Sequence, residues 1–430
     1  MLTVRNILAV SICVSPIMLL WDGLIVQGVV AGIAAVTLAI AARALRPGET
    51  GFLISVTRPP LAAAAIPALW VLLQVIPFGV LAHPIWRSAE TALHYAVAGA
   101  ISADPGASVI ALGRYLSMTA VAFLSAAVAI DRQRAEWMLF ALSVAATIVS
   151  LIVIAQSLLP PGSWLAAFAR PPAIDGAGLG SIIAGAACIR AVERYETRHA
   201  QQRSKPNVLQ TFAPCTIALA ICLAALTLSA KAEVICATGY GLLALACQLI
   251  IRRFGLGLLG MAGMVVPALG IAVLLVAGHP AQRGIGLPLA FADPSAPSLT
   301  ALSQRMLDDA PLVGTGAGTF AALAPIYRQM EEPPSGPTAA TAAGALAIEL
   351  GKPMLWLIAA ATVGFVVMFL RASLQRGRDS FYSAMGGSCL FTVLLLAFTN
   401  AGLFGTTVGL IVAAALGLAF AQSKSRMVQI

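Results

Sequence analysis

A chain of 430 residues that is 60% hydrophobic and only 10% charged, with a mean hydropathy of +0.92, lies far from the roughly one-quarter charged residues of a soluble domain. This excludes a soluble enzyme and predicts a polytopic membrane protein. A net charge of +9 would suit nucleic acid if it formed a stripe, but the basic residues stand singly between apolar runs, so we expect no nucleic-acid partner and read the charge as orientation in a membrane.

The chain begins MLTVRNILAVSICVSPIMLLWDG, with one Arg before an apolar run, as in a signal peptide. It lacks a small-x-small cleavage site and a second apolar segment follows at once, which predicts a retained first helix. A hydrocarbon core of about 30 Å needs about 20 apolar residues per helix. On that measure the spans fall near 6–21, 24–42, 60–80, 109–130, 136–158, 176–192, 211–229, 232–251, 257–277, 342–370, 381–400 and 403–422. The predicted fold class is all-α: a helix bundle of about 12 transmembrane helices in one integral membrane domain, 1–430. Pro16 in the short first span marks where a merged hairpin would change the count.

Charge tests that topology independently. With the N-terminus inside, 18 of the 26 Lys and Arg fall in inner segments and eight (Arg87, Arg114, Arg170, Lys231, Arg283, Arg305, Arg328 and Lys352) fall outside. The positive-inside rule then makes both termini cytoplasmic and puts the longest connection, 278–341, on the outer side before the tenth helix. A loop of that length is functional or disordered. Within it, Leu299, Leu302, Met306 and Leu307 recur at helical spacing and predict a short amphipathic helix, with flexibility near EEPPSGP.

Smaller outer segments carry their own signals. HPIWRSAETALHYAVAGA at 83–100 reads as an interfacial helix. After the Gly/Pro-rich turn at 160–181, Gly176, Gly178, Gly180, Ala184, Gly185 and Ala186 would let neighbouring helices approach closely. The seven cysteines lie in or beside apolar runs without CxxC spacing, so neither a disulfide nor a metal site is expected. There is no internal repeat, and the predicted spans are bare of midplane acids, which argues against an ion-coupled carrier.

The outer loop is more specific. Arg305, then APLVGTGAGTF, then Tyr327-Arg328, then AIELGKPMLWL resembles the O-antigen ligase and O-antigen polymerase family, in Arg305, Pro311, Gly314, Gly316, Gly318, Phe320, Glu349 and Gly351. Thr227 and Ser229 in LTLSAKAEV match a further element of that family, with Ala230-Lys231 where an Arg is usual, and Arg170 matches an Arg before the sixth helix. The His-Asn pair that opens the family's catalytic helix falls on Ala340 and Thr341 here, so the usual His is absent. None of His83, His94, His199 or His279 lies near that helix start.

The resemblance implies a bacterial inner-membrane protein of surface polysaccharide or exopolysaccharide biosynthesis. It implies metal-independent, cofactor-free, inverting glycosyl transfer, as ligase or polymerase. The partners implied are a polyprenyl-pyrophosphate-linked glycan, a polysaccharide or lipid acceptor, membrane lipid, and polysaccharide export or assembly proteins. A leaving pyrophosphate calls for fixed cations, and Arg170, Lys231, Arg305 and Arg328 are the candidates, with Tyr327 beside them as a further substrate contact. A base for the acceptor would be Glu349, Glu331, Glu332 or His279, or there is none. Glu349, about two helical turns below the surface, is the candidate catalytic residue, its alternative role being a buried polar anchor. The GTGAGTF glycines lack the preceding strand and following Lys of a nucleotide loop, so a tight turn packed on the bundle is expected, with lipid phosphate as the other reading. Asp308 and Asp309, with no third ligand in reach, are read as helix charge. A catalytically inactive relative that binds lipid-linked glycan or scaffolds an assembly complex is the alternative function.

Overall fold

The computed structural model describes residues 1–160, 168, 170–200, 208–253, 297–328, 339–375 and 379–424. The predicted span at 257–277, residues 278–296 with His279, and the EEPPSGP segment with Glu331 and Glu332 lie outside the described residues. Among the described residues the protein is an all-α polytopic helix bundle, with ten helices long and apolar enough to cross a membrane.

The helices are α1 (Leu2–Val14, extended by a 3-10 turn to Leu19), α2 (Leu24–Ala44), α3 (Pro47–Val75), α4 (Ile85–Leu93), α5 (Pro105–Val128), α6 (Arg132–Leu158), α7 (Arg170–Ala200), α8 (Val208–Ser229) and α9 (Ala232–Arg253). After the undescribed stretch come α10 (Pro297–Asp309), α11 (Phe320–Tyr327), α12 (Ala342–Glu349), α13 (Lys352–Gln375), α14 (Ser380–Thr399) and α15 (Thr406–Ala421). The first two spans are separate helices despite Pro16. The last predicted span is the apolar helix α15, shorter than the ten. Helix α10 takes the amphipathic form expected of it, with Leu302 and Met306 buried, and α4 occupies the predicted interfacial segment.

One sequence expectation is corrected. The tenth span is not one helix: it breaks between α12 and α13. Pro353 has no N–H to give to the carbonyl four residues back, Glu349, and Gly351 sits at φ +91°, the left-handed conformation that ends helices. Helix α7 also begins six residues before the predicted span, so Asp175, fully buried, falls in its first two turns, near one end of a membrane-crossing helix.

Small residues set how closely the helices pack. On α7 a Cβ at Gly178 would lie 2.6 Å from Thr238 Oγ1 and one at Gly180 would lie 2.8 Å from Ala146 Cβ, so α6 and α9 approach there because those side chains are missing. Around this line α1, α5, α6, α7, α14 and α15 form the main apolar core. Helix α3 runs at the periphery and carries Pro59, Pro60 and Pro67. Pro59 cannot donate to the Ser55 carbonyl, and Lys424 Nζ donates to it at 2.9 Å instead.

Polar ties define the two ends of the bundle. At one end Glu136 pairs with Arg190 at 2.7 Å and with Arg194, and Arg132 reaches Asp379 at 3.0 Å. At the other, Asp22 accepts from the Thr406 N–H at 2.8 Å, and the segments 70–75, 100–108, 311–320, 340–351 and 400–405 converge.

Candidate functional site

The α12–α13 break creates the site. Its freed carbonyls are answered by the glycine loop 311–320: Thr315 N–H donates to the Ile348 carbonyl at 2.9 Å and Gly316 N–H to that of Glu349 at 3.0 Å. Gly314, Gly316 and Gly318 sit at φ +79°, +109° and +76°, where a Cβ is strained. The loop is thus a tight backbone turn packed on the bundle. A Cβ at Gly314 would strike the Glu349 carbonyl, and one at Gly316 would strike Ser102.

The floor comes from α3 and the irregular stretch before α5. Gln74, fully buried, donates from Nε2 to the carbonyls of Val313 at 2.9 Å and Glu349 at 3.0 Å, and its Oε1 accepts from Ala317 N–H at 3.3 Å. Trp70 Nε1 donates to the Leu350 carbonyl at 3.0 Å. Ala103 N–H donates to the Thr315 carbonyl at 2.8 Å, and Ser108 Oγ to that of Ala317 at 2.9 Å. Non-helical backbone at the edge of a membrane needs this cover, since no lipid can satisfy it.

Glu349 ends α12 with its carboxylate inside this unit. Its Oε1 accepts from Phe320 N–H at 3.1 Å, and Gly318 N–H also bonds to it. Burial pushes its carboxyl up to about 7, with the two amides and the Arg114 charge opposing. Through these two bonds Glu349 ties the end of α12 to the glycine loop.

The other predicted residues divide into two groups. Arg305 is half-buried on α10, which packs on α12. Ser303, two residues earlier, accepts from the Ala340 N–H at 3.3 Å. Tyr327 closes α11 and joins the apolar cluster of α10, α11 and α12, its hydroxyl bonded to Asp309, with burial and the Asp309 charge raising its pKa. Arg328 follows, exposed. Arg170, exposed at the start of α7, and Lys231, exposed after the left-handed Ala230, form the second group. Beneath them lies Asp175, on which the Lys231 charge acts.

Helix α12 connects the two groups. Thr341 caps its start, its Oγ1 accepting from Gly344 N–H at 3.0 Å. The next N–H, of Ala342, donates to the Asn400 carbonyl at 3.0 Å, while Asn400 Nδ2 donates to Asp175 Oδ1 at 2.6 Å. Among the described residues Asp175 Oδ2 has no hydrogen-bond partner. Ala340, where the His of the resembling family would stand, is a buried methyl group.

Sequence reading passed over Gln74, Asp175 and Asn400. The signal was present in each case: a lone amide or carboxylate inside an apolar run, in LLQVI, AIDGA and FTNAG, is expensive at membrane depth and marks a structural or functional contact. Among the described residues no three His, Cys, Asp or Glu side chains come together as metal ligands. Compared with known proteins, the chain matches no family model and no curated protein.

Proposed function

We propose that this protein is an O-antigen ligase-like or polymerase-like glycosyltransferase of a bacterial inner membrane. It transfers or polymerises glycan from a polyprenyl-pyrophosphate carrier at the periplasmic face, and both its termini are cytoplasmic. One observation carries the reading. Six of the eight residues on which the resemblance rests, Pro311, Gly314, Gly316, Gly318, Phe320 and Glu349, lie up to some forty positions apart in sequence yet belong to one hydrogen-bonded unit, and Gly351 packs against its Leu312 carbonyl. The half-buried Arg305 and the exposed Arg328, Arg170 and Lys231 are the cations this reading assigns to a leaving pyrophosphate. Glu349 serves as the anchor that holds the loop.

The test is Arg305→Ala in cells from which the native copy is removed. Polymer or ligated glycan is expected to disappear while the protein stays at normal abundance in the membrane; normal product would sink the reading. A silent relative that binds lipid-linked glycan or scaffolds an assembly complex is favoured by a different observation, the buried methyl of Ala340. In that case Ala340→His changes nothing, and substituting the basic residues of the outer end leaves the scaffold's function intact.

A further inference from the structure

Helix α3 does not close completely on its neighbours. Pro60 and Pro67 on α3, Ala122 and Ala126 on α5, and Phe365 on α13 are among the residues around a cavity of about 230 Å³ between these helices and α15. Two others, Leu61 on α3 and Ala361 on α13, are exposed, so the cavity opens sideways between those helices to the bilayer. Its walls suit hydrocarbon. Each of the four hydroxyls on them donates to a backbone carbonyl: Thr57 to Leu53 at 2.8 Å, Tyr115 to Ala64 at 2.9 Å, Thr119 to Tyr115 at 3.0 Å and Thr362 to Ile358 at 2.8 Å. A bound water needs about two to four polar partners, and with those protons spent the walls have no donor to give. From Thr57 to Pro67 the groove follows about 15 Å of helix, at about 1.5 Å per residue, which is half of a hydrocarbon core of about 30 Å. That is the reach of one leaflet.

The two ends of the groove differ. One turn beyond Pro67, Trp70 Nε1 donates to the Leu350 carbonyl at 3.0 Å, and Val71 packs with Leu350, Met354 and Ile358 beneath the glycine loop. This closes the groove towards the loop. At the opposite end Lys424, one turn past Phe420, donates from Nζ to the Ser55 carbonyl at 2.9 Å, and Arg58 follows Thr57. Both are exposed, and neither has a carboxylate partner among the described residues.

We propose that this groove holds one acyl chain of an anionic phospholipid, with the lipid phosphate against Lys424 and Arg58. Basic residues at head-group level beside a cleft between membrane helices recognise anionic lipids, and a chain in the cleft restores the contacts that a void would forfeit. Because the charge lies at the Lys424 end and the loop end is closed, the lipid belongs to the leaflet on the Lys424 side. It is therefore not a prenyl carrier with its head group at the glycine loop. The lipid joins α3 to α5 and α13 where the helix prolines leave α3 at the periphery of the bundle.

The full-length protein is purified in detergent, stripped of lipid and mixed with phosphatidylglycerol, phosphatidylcholine or undecaprenyl phosphate, and bound lipid is read by native mass spectrometry. Phosphatidylglycerol is expected to bind at least about tenfold more tightly than phosphatidylcholine of the same chains, and Lys424→Gln and Arg58→Gln should each weaken it by about fivefold. Ala63→Phe combined with Ala361→Phe puts rings into the groove and should weaken it by about tenfold or more, with no fall in thermal midpoint. Equal binding of the two phospholipids overturns the proposal. So does phosphatidylglycerol binding that the ring substitutions leave unchanged, which would reduce it to surface charge. Displacement of phosphatidylglycerol by an equal amount of undecaprenyl phosphate also overturns it and gives the groove to a prenyl chain. If the ring variant fails to fold, the double variant Lys424→Gln, Arg58→Gln decides, since both side chains are exposed: unchanged affinity in it refutes the head-group assignment. None of these measurements needs glycan transfer, so failure of the proposed reaction leaves their outcome standing.

Discussion

Glu349 carries its proton differently in the folded and unfolded chain, and this has a measurable sign. Its carboxyl is raised from 4.5 to about 7 by burial, so the folded state binds the proton more tightly. The docked loop is then most stable below about pH 4.5. It weakens as pH rises towards about 7, by a total on the order of 3 kcal/mol. The thermal midpoint of detergent-solubilised protein should fall between about pH 5 and pH 8, and Glu349→Gln should flatten that slope while keeping an oxygen for the Phe320 N–H. A wild-type midpoint that rises with pH would contradict the burial of this group. Residue identity was legible here only in part. Glu349 stood out as an acid in an apolar helix, but its choice between base and anchor depends on which amides reach it, and Gly318 and Phe320 do so through a loop closure that spacing does not encode.

At the scale of elements, the α12–α13 break shows a similar division. Gly351 and Pro353 were visible as helix breakers, yet the surrounding apolar run read as one span because hydropathy weighs length above a single carbonyl. The glycine loop was legible as a tight turn; its partner was not, because Gln74 sits 239 residues from Val313. The glycines divide accordingly. Gly351→Ala and Gly314→Ala force an L side chain to positive φ and drive a methyl into backbone of the opposite segment, so each should cost roughly 1–3 kcal/mol or more and lower the thermal midpoint. Gly364, on α13 with open space where its Cβ would be, should accept Ala with no loss or a small gain in stability. Equal midpoints for Gly351→Ala and Gly364→Ala would show that the break is not held as described.

For the whole molecule, composition alone made the membrane class and the helical architecture legible, since no other fold buries so much apolar sequence with so few charges. The ends of the helices were less so: α3 and α7 begin well before their predicted spans, because backbone hydrogen bonding continues a helix past the point where apolar residues stop. Orientation belongs to this scale as well. The excess of Lys and Arg in the segments assigned to one side predicts that a reporter fused after Arg426 behaves as cytoplasmic. Periplasmic behaviour of that fusion would turn the glycine-loop end of the bundle inward and remove the basis for an external site.

Gln74 has a further bearing, on how the chain is made. Its side-chain amide and the Ala103 N–H are satisfied by Val313, Thr315, Ala317 and Glu349, which emerge from the ribosome long after them. At about 5 to 20 residues per second, the 239 residues between Gln74 and Val313 take about 10 to 50 s to synthesise. During that interval the inserted N-terminal helices hold an unfilled polar socket at the membrane edge, next to the thrice-proline α3. Insertion and folding are therefore separated in time: the first half of the chain waits in the bilayer as a receptor for the second. Ribosome-stalled chains ending before residue 297 should be cleaved by protease near α3 and α5, and chains extended beyond residue 351 should resist it.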